Sequence, residues 1–137
     1  MIELDPTNPV PLYRQIVEQV RRLMAIGALR PGDKIPTVRE LAVTARVNRN
    51  TAARAIRELE GEGLVRTRVG KGTFVEEGAP AVDRGRAERS IDEAFDRLLV
   101  DAHAAGVPFE ELGRRLASRI EAFRDQRRDS GSDEESR

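Results

Sequence analysis

The sequence predicts a mainly α-helical protein with one small β-hairpin. Apolar residues recur at intervals of three and four in five separate segments, as they do on the buried faces of amphipathic helices. Two short stretches rich in β-branched residues flank a glycine-containing segment at 69–72, which is typical of a hairpin. We therefore expect one folded unit over 1–77, a linker over 78–87, a two-helix region over 88–124 and a disordered tail over 125–137 that lacks apolar residues.

Composition excludes several classes of protein. The 137 residues include no cysteine and one histidine, and 35% of them are charged. Disulfides are therefore impossible, and His103 alone cannot build a zinc site, so we expect no metal. The chain has no apolar run of about 18 residues, and its first residues carry neither a basic start nor an apolar stretch. We therefore expect a cytoplasmic protein without a membrane segment or a secretory signal.

The first helix is predicted to follow a proline-rich, extended arm at residues 1–11. Pro11 suits the first turn of a helix, and Gly27 ends the periodic pattern before a turn at 31–33. The apolar residues that define the buried face of this helix are Leu12, Ile16, Val20 and Leu23.

Two further helices are predicted, each after a residue that can cap its first turn. Thr37 precedes a short helix and has Glu40 three residues later, which is the spacing of a capping box. Asn48 precedes the next helix, expected over 48–61, whose inner residues are Ala52, Ala55, Ile56 and Leu59. A short helix, a tight turn and a second short helix can present that second helix to the major groove of DNA.

A hairpin is predicted directly after these helices, over 64–76. Leu64 to Arg68 and Thr73 to Val75 have strand composition, and Gly70 and Gly72 lie in the connection. A hairpin in this place forms the wing of a winged helix-turn-helix fold. Its glycines would let the backbone approach a minor groove closely, and Arg66, Arg68 and Lys71 would supply positive charge for phosphates.

The distribution of charge supports contact with nucleic acid, although the net charge of the chain is zero. Residues 36–73 contain eight Lys and Arg against four Asp and Glu, a balance of +4, whereas residues 78–137 contain 11 against 14. Arg49 and Asn50 lie in the first turn of the third helix, where an arginine can bind guanine and an asparagine can bind adenine through two hydrogen bonds. Thr51 and the amides of the helix N-terminus can bind phosphate.

Other arginines on the outer face of the third helix allow two interpretations. Arg54 and Arg57 can contact DNA, or they can be solvated residues that pair with Glu58 and Glu62. The full set of residues that we predict to bind DNA is Arg39, Arg46, Arg49, Asn50, Thr51, Ala53, Arg54, Arg68, Gly70, Lys71 and Gly72.

Six spaced motifs occur between Pro11 and Val75. They are PLYRQI, G-x-L-x-P-G-D, P-T-V-R-E-L-A, N-R-N-T, L-x-x-x-G-L-V and G-x-G-T-F-V. Together they resemble the winged helix-turn-helix domain of GntR-family bacterial transcription regulators. The resemblance implies DNA contacts from Arg39, Arg49, Asn50, Thr51 and the wing tip around Gly70.

One position departs from this family pattern inside the turn between the two helices. The family usually has glycine where Arg46 stands, and the position often needs a positive φ angle, which arginine adopts only at a cost in free energy. The turn could therefore differ in shape here, or Arg46 could gain a contact with a phosphate.

The two-helix region resembles the short tail of the YtrA branch of the family, which implies dimerisation. A helical hairpin with one apolar stripe on each helix cannot bury both stripes by itself, and a second copy would complete a four-helix arrangement. The alternative is a monomer in which the stripes pack onto the DNA-binding domain. The residues predicted at the dimer interface are Phe95, Leu98, Leu99, Leu112, Leu116, Ile120 and Phe123.

These features predict a homodimeric repressor of transcription that binds double-stranded DNA at an inverted repeat and uses no cofactor. The sequence contains no evident pocket for a small-molecule effector, so whether one binds is unknown; the dimer interface or the gap between the two halves could hold it. The alternatives are a winged helix that binds protein and an architectural module that binds DNA without specificity.

Two further classes are disfavoured by the sequence. Single-stranded nucleic acid would need stacking aromatic residues, but the chain has no tryptophan, and we expect Phe74 to point into the core. An enzyme is not expected, because we find neither a nucleophile–base pair nor a cofactor loop, and the G-K-G-T segment at the wing lacks the spacing of a phosphate loop.

Overall fold

The computed structural model describes residues 2–78 and 83–135, and side chains within these ranges up to residue 132. The predicted class is confirmed, with five helices and a small antiparallel sheet. In chain order the elements are α1 (Leu12–Ala25), β1 (Lys34–Ile35), α2 (Val38–Thr44), α3 (Arg49–Gly61), β2 (Val65–Arg68), β3 (Gly72–Val75), α4 (Arg84–Ala104) and α5 (Phe109–Glu135).

A single apolar core joins the first three helices to the sheet. Its largest fully buried side chains are Ile16 and Val17 of α1 and Leu59 of α3. Two small residues of α3, Ala52 and Ala55, have no exposed surface. The other members of the core are Val20, Ile35, Leu41, Ala42, Ile56, Val65 and Val75.

The arm before α1 is fastened to that helix by two glutamines. Gln15 accepts a hydrogen bond from the backbone N–H of Asp5 at 2.9 Å and donates from its side-chain amide to the carbonyl oxygens of Asp5 and Val10. Gln19 accepts from the N–H of Glu3 at 3.0 Å and donates to the carbonyl of the same residue. The arm that we predicted as merely extended therefore contains turns and lies along α1.

The sheet has three strands in the order β1-β3-β2, although the sequence predicted only the hairpin. Strand β1 pairs antiparallel with β3, with Lys34 opposite Phe74 and Ile35 opposite Thr73. A strand of two residues is too short to give a recognisable alternation of apolar and polar residues, which explains why it was missed.

The prediction that Phe74 points into the core is wrong. Its neighbours Thr73 and Val75 are both buried, and strand geometry then directs Phe74 to the opposite face of the sheet. There it is half-buried, and the guanidinium carbon of Arg68 lies 5.6 Å from the centre of its ring. The sequence pattern T-F-V did not reveal this, because threonine occupies the buried position and the larger residue the outer one.

The predicted helix caps are confirmed. The hydroxyl of Thr37 accepts a hydrogen bond from the N–H of Glu40 at 3.1 Å, and the side-chain oxygen of Asn48 accepts from the N–H of Thr51 at 2.8 Å. Pro11 lies directly before α1, at the capping position rather than in the first turn. These caps fix where α2 and α3 begin, and so fix which residues of α3 lie at its leading end.

Arg46 adopts a φ angle of 55°, and it is the one non-glycine residue with positive φ among those the structure describes. The N–H of Val47 bonds to the carbonyl of Ala42 at 3.1 Å, and the N–H of Arg46 bonds to that of Val43 at 3.3 Å. This left-handed ending is the conformation that glycine adopts most easily at a helix C-terminus. The turn therefore keeps the left-handed form, and arginine accepts the associated strain.

The predicted linker is too long at its C-terminal end. Helix α4 begins at Arg84, where Asp83 caps it by accepting a hydrogen bond from the N–H of Arg86 at 3.1 Å. Arg84 also pairs with Glu88 at 2.7 Å within the first turns. Residues 79–82 of the linker lie outside the described residues.

The prediction of a disordered tail is wrong up to Glu135, because α5 continues to that residue, and 136–137 lie outside the described residues. The tail has no apolar residues, so no buried face could be recognised in its sequence. Its helical form is supported instead by polar contacts such as the bond from the hydroxyl of Ser130 to the carbonyl of Gln126 at 2.9 Å and the Arg128–Asp125 ion pair. No helix in the described part of the chain is long and apolar enough to cross a membrane.

Replacing Arg46 by glycine is predicted to raise the free energy of unfolding by up to about 1 kcal/mol, because glycine tolerates positive φ. The matched control is Arg57→Gly in regular α3 backbone, which should lower it by about 1 kcal/mol. Urea unfolding followed by circular dichroism measures both. If both variants lose the same amount of unfolding free energy, the backbone at Arg46 is not strained.

Candidate nucleic-acid interface

The two faces of α3 differ sharply in exposure. Its inner residues are fully or almost fully buried, whereas Arg49, Asn50, Arg54 and Arg57 are exposed. Thr51 and Ala53 are half-buried along the same outer surface. The core packing of α3 therefore leaves the predicted residues of the helix available to a ligand.

The leading end of α3 can bind an anion through its backbone. Helices leave their first N–H groups without intrahelical partners, and Asn48 satisfies the one on Thr51. The amides of Arg49 and Asn50 precede that residue and point out of the helix end, where a phosphate oxygen can accept from them. Arg39 of α2 and Arg46 of the turn are exposed as well.

Arg54 is held by an aromatic ring, which the sequence did not predict. Its guanidinium carbon lies 3.9 Å from the centre of the Tyr13 ring, and its Nη2 donates to the Tyr13 hydroxyl at 3.3 Å. Tyr13 is half-buried and packs against the core, so it is a firm support. Arg14 approaches the same ring at 5.7 Å.

The acidic residues predicted to neutralise Arg54 and Arg57 have different roles. Glu62 pairs with Arg21 of α1 at 3.5 Å. Within the described ranges, no ion pair joins Glu58 to either arginine. Of the two interpretations left open, direct ion pairing with these carboxylates is not what the described residues have, although both acids border the same surface cleft as Arg54 and Arg57.

A cleft of about 540 Å³ separates the outer face of α3 from the wing. Three cationic side chains line it, namely Lys34, Arg57 and Lys71, together with one acid, Glu60. Arg68 borders the cleft, but its guanidinium lies over Phe74 on the other face of the sheet. Lys34 was not predicted, because it belongs to the strand that the sequence did not reveal. Such a cleft attracts a polyanion because the opposing carboxylate is far outnumbered.

The two glycines of the wing have different roles. Gly72 has a φ angle of 119°, and a Cβ atom there would lie 2.7 Å from Cε of Lys34. The absence of a side chain thus makes room for Lys34 to cross the wing. Gly70 has a φ angle of 76° with open space around it, beside the almost fully exposed Val69. This tip is the part of the wing that is free to approach another molecule.

A short chain of hydrogen bonds ties the wing to α3. The hydroxyl of Thr67 donates to a carboxylate oxygen of Glu60 at 2.6 Å, and it lies 3.1 Å from the hydroxyl of Thr73 on the facing strand. Glu60 therefore fixes the wing and also contributes one negative charge to the cleft. Arg66 is exposed and lies opposite Phe74 on the outer face of the sheet.

The predicted dimer interface lies on α4 and α5, and most of it is uncovered in a single chain. Phe95, Leu98, Leu116 and Ile120 each have more than 40% of their surface exposed. Leu99 is exposed too, and Leu112 is half-buried. These residues do not pack onto the first half of the chain, contrary to the alternative we considered.

Phe123 differs from the other predicted interface residues. It is half-buried, and the guanidinium carbon of Arg22 on α1 lies 4.9 Å from the centre of its ring. The apolar surface also extends beyond the predicted set, since Ile91 and Phe109 are more than half exposed. Among the described residues, no group of three potential metal ligands comes together.

Comparison with known proteins agrees with this architecture. Residues 12–75 match the family model described as "Bacterial regulatory proteins, gntR family". The HTH-type transcriptional repressor YtrA of Bacillus subtilis is 42% identical to the chain over 112 residues, which cover 82% of this chain and 86% of that protein.

Solved structures resemble the chain over most of its length. A transcriptional antiterminator from Listeria monocytogenes has a TM-score of 0.77 with 27% identity, covering 90% of this chain and 92% of that one. YtrA from Sulfolobus acidocaldarius, a GntR-family transcription factor, has a TM-score of 0.58 with 34% identity. The match covers 69% of this chain and 97% of that one. The chain therefore belongs to the gntR family of bacterial regulatory proteins, as its motifs predicted, and not to a family of enzymes.

Proposed function

We propose that the chain is a homodimeric transcriptional repressor that binds an inverted-repeat operator in double-stranded DNA. The observation that carries this proposal is the continuous cationic surface formed by the outer face of α3 and the cleft beside the wing. In this arrangement α3 enters the major groove, the wing approaches the minor groove, and a phosphate backbone passes through the cleft between them.

Base recognition falls to the first turn of α3. Arg49 and Asn50 are exposed at the leading end, and Arg49 has no ion-pair partner among the described residues. Their planar side chains match the edges of guanine and adenine. Ala53, one turn further along, is small enough to let a base edge approach the helix.

Phosphate contacts are expected on both sides of the base-contacting first turn of α3. We assign them to the exposed arginines of α2, the turn and α3, to the backbone and hydroxyl at the start of α3, and to the wing. The residues are Arg39, Arg46, Thr51, Arg54, Arg57, Arg68, Gly70, Lys71 and Gly72, with Lys34 added from the cleft. Arg54 is pre-oriented by Tyr13, so less side-chain entropy is lost when it binds.

Dimerisation follows from the uncovered apolar stripes of α4 and α5. A protein rarely leaves so many large apolar side chains exposed along facing helices unless another molecule covers them. A second copy supplies a matching surface and places two winged domains on one DNA duplex, as a two-fold symmetric operator requires.

Repression is the mode of action that the similarity to the B. subtilis repressor supports. A dimer bound over a promoter would exclude RNA polymerase by occupying the same DNA. The apolar cavity enclosed by the core, lined by Ile2, Val20 and Leu41 among others, measures about 30 Å³, which is too small for a metabolite. We therefore assign no effector.

Selection of fragments from random duplex DNA is predicted to recover an inverted repeat whose affinity falls steeply with salt. Arg49→Ala should cost about 1–3 kcal/mol of binding free energy and relax the preference for one base. Lys71→Ala should weaken binding to all DNA sequences alike. It should also reduce the slope of log affinity against log salt concentration by about one. Uniform weak binding to every fragment would instead indicate an architectural role, and no DNA binding at all would indicate a protein partner.

The support of Arg54 by Tyr13 gives a second prediction. Tyr13→Leu removes the ring and should weaken operator binding about two- to fivefold, whereas Tyr13→Phe keeps the ring and should change it less than about twofold. Fluorescence anisotropy with the selected duplex measures both variants. In an Arg54→Ala background the leucine variant should have no additional effect, and an undiminished effect there would refute the coupling.

The dimer is tested by sedimentation of the full chain at micromolar concentration. The wild type is expected to sediment as a dimer, and Leu98→Glu should shift it to monomer because a charge would be buried in an apolar interface. Val100→Glu is the matched control, since Val100 is exposed on the opposite side of α4 and should leave the dimer intact. A monomeric wild type would overturn the proposal.

A further inference from the structure

The C-terminal half of α5 contacts the C-terminal end of α1 through two hydrogen bonds and one cation–π contact. The guanidinium of Arg127 donates to the carbonyl oxygen of Ala25, the last residue of α1. Nη2 of Arg30, just after α1, donates to the carbonyl oxygen of Ser130 at 2.9 Å. The guanidinium of Arg22 covers the ring of Phe123. We call this contact the α1–α5 joint.

The chemistry of the joint suits the end of a helix. The final carbonyl groups of a helix have no intrahelical donors and carry partial negative charge, so the cation of Arg127 is well placed on Ala25. Gly27 lies beside the joint, with a φ angle of 78°, and Cβ of Ser130 would be 3.9 Å from a Cβ at that position. A Cβ at this position would make ordinary van der Waals contact with α5, so the positive φ, and not the proximity of α5, favours glycine here.

The joint residues lie on the same face of α5 as the proposed dimer interface. Leu116, Ile120, Phe123, Arg127 and Ser130 follow each other at intervals of four, three, four and three, which is the repeat of one helix face. The first part of this face is apolar and uncovered, and the last part rests on α1. One straight element therefore runs from the dimer interface to the DNA-binding unit.

Helix α1 is packed firmly against α3, so the two helices keep a constant relative orientation. Ile16 and Val17 of α1 and Leu59 of α3 are the most deeply buried large side chains of one core, and Arg21 of α1 also pairs with Glu62 at the end of α3. A close-packed core moves as a unit. A contact that fixes the orientation of α5 relative to α1 therefore also fixes the orientation of α5 relative to α3.

The covalent connection alone does not fix that orientation. Eight residues lie between Val75 and Arg84, and a chain can span up to about 3.3–3.6 Å for each residue. Without the joint, such a connection would allow the winged domain a wide range of positions relative to α4 and α5.

We infer that the α1–α5 joint determines the spacing between the two DNA half-sites that the dimer accepts, with Arg127 and Arg22 as its positioning residues. This inference rests on the proposed homodimer. In a dimer joined through the first part of the α5 face, two rigid joints hold the two α3 helices at one separation. Adding one base pair displaces a half-site by about 3.4 Å and rotates it by about 35°, which a rigid pair of domains cannot follow.

The test compares the spacing preference of the full chain with that of Arg127→Ala, after selection from random duplex DNA has given the half-site. Affinities are then measured for duplexes whose two half-sites are separated by the selected spacing and by one or two base pairs more or less. The wild type should prefer one spacing by about tenfold or more. In the variant the preference should fall below about threefold, while the selected half-site sequence stays the same.

Two further variants and one control complete the design. Arg22→Ala removes the contact with Phe123 from the other side of the joint and should broaden the spacing in the same way, and Arg127→Lys should restore part of the preference because it keeps a donor. Arg128→Ala is the matched control, since Arg128 is exposed, adjacent and paired only within α5 to Asp125 among the described residues. It should keep the wild-type preference.

The possible failures are distinguishable by sedimentation of the same samples. A monomeric wild type contradicts the proposed dimer, and the inference falls with it. If the wild type and Arg127→Ala are both dimers and both keep the tenfold preference for one spacing, the inference is overturned, but the proposed dimer is not. A dimeric wild type that already accepts several spacings equally would also overturn it.

Discussion

Helix α3 is held from behind by α1, and its small inner residues make this possible. Ala52 and Ala55 present no bulk, so α1 can bring Ile16 and Val17 into full burial against them. The outer face of α3 carries no part of the core and is left to charged and polar side chains. The wing, the support of Arg54 by Tyr13 and the link from α1 to α5 all take their positions from this helix pair.

Two of the four acids in the segment 36–73 make contacts that fix the structure around the cationic surface. Glu60 receives the hydroxyl of Thr67 and fixes the wing, and Glu62 pairs with Arg21 behind α3. A segment with a balance of +4 therefore presents its positive charge on one side. The two carboxylates stabilise the geometry, and the excess of positive charge that remains in the segment favours an approaching phosphate backbone.

The sequence predicted the elements that repeat a pattern and missed those that depend on contacts between distant residues. The caps at Thr37 and Asn48 and the wing could be inferred from local chemistry, whereas the sequence left the shape of the turn at Arg46 open and the structure shows it to be left-handed. Strand β1 has only two residues, and Phe74 owes its outward position to the burial of its neighbours. The helical tail after Phe123 has no apolar residue, so only its contacts with α1 could reveal it.

That tail has a consequence for the behaviour of the protein with temperature. A helical segment without apolar contacts belongs to the least stable part of a structure and opens locally before the core does. The turns of α5 that carry Arg127 and Ser130 would therefore fray while the winged domain is still folded and able to bind a half-site. If two copies read two half-sites as proposed, warming would remove the distinction between correctly and incorrectly spaced sites before it removes DNA binding, so selectivity would be lost earlier than affinity.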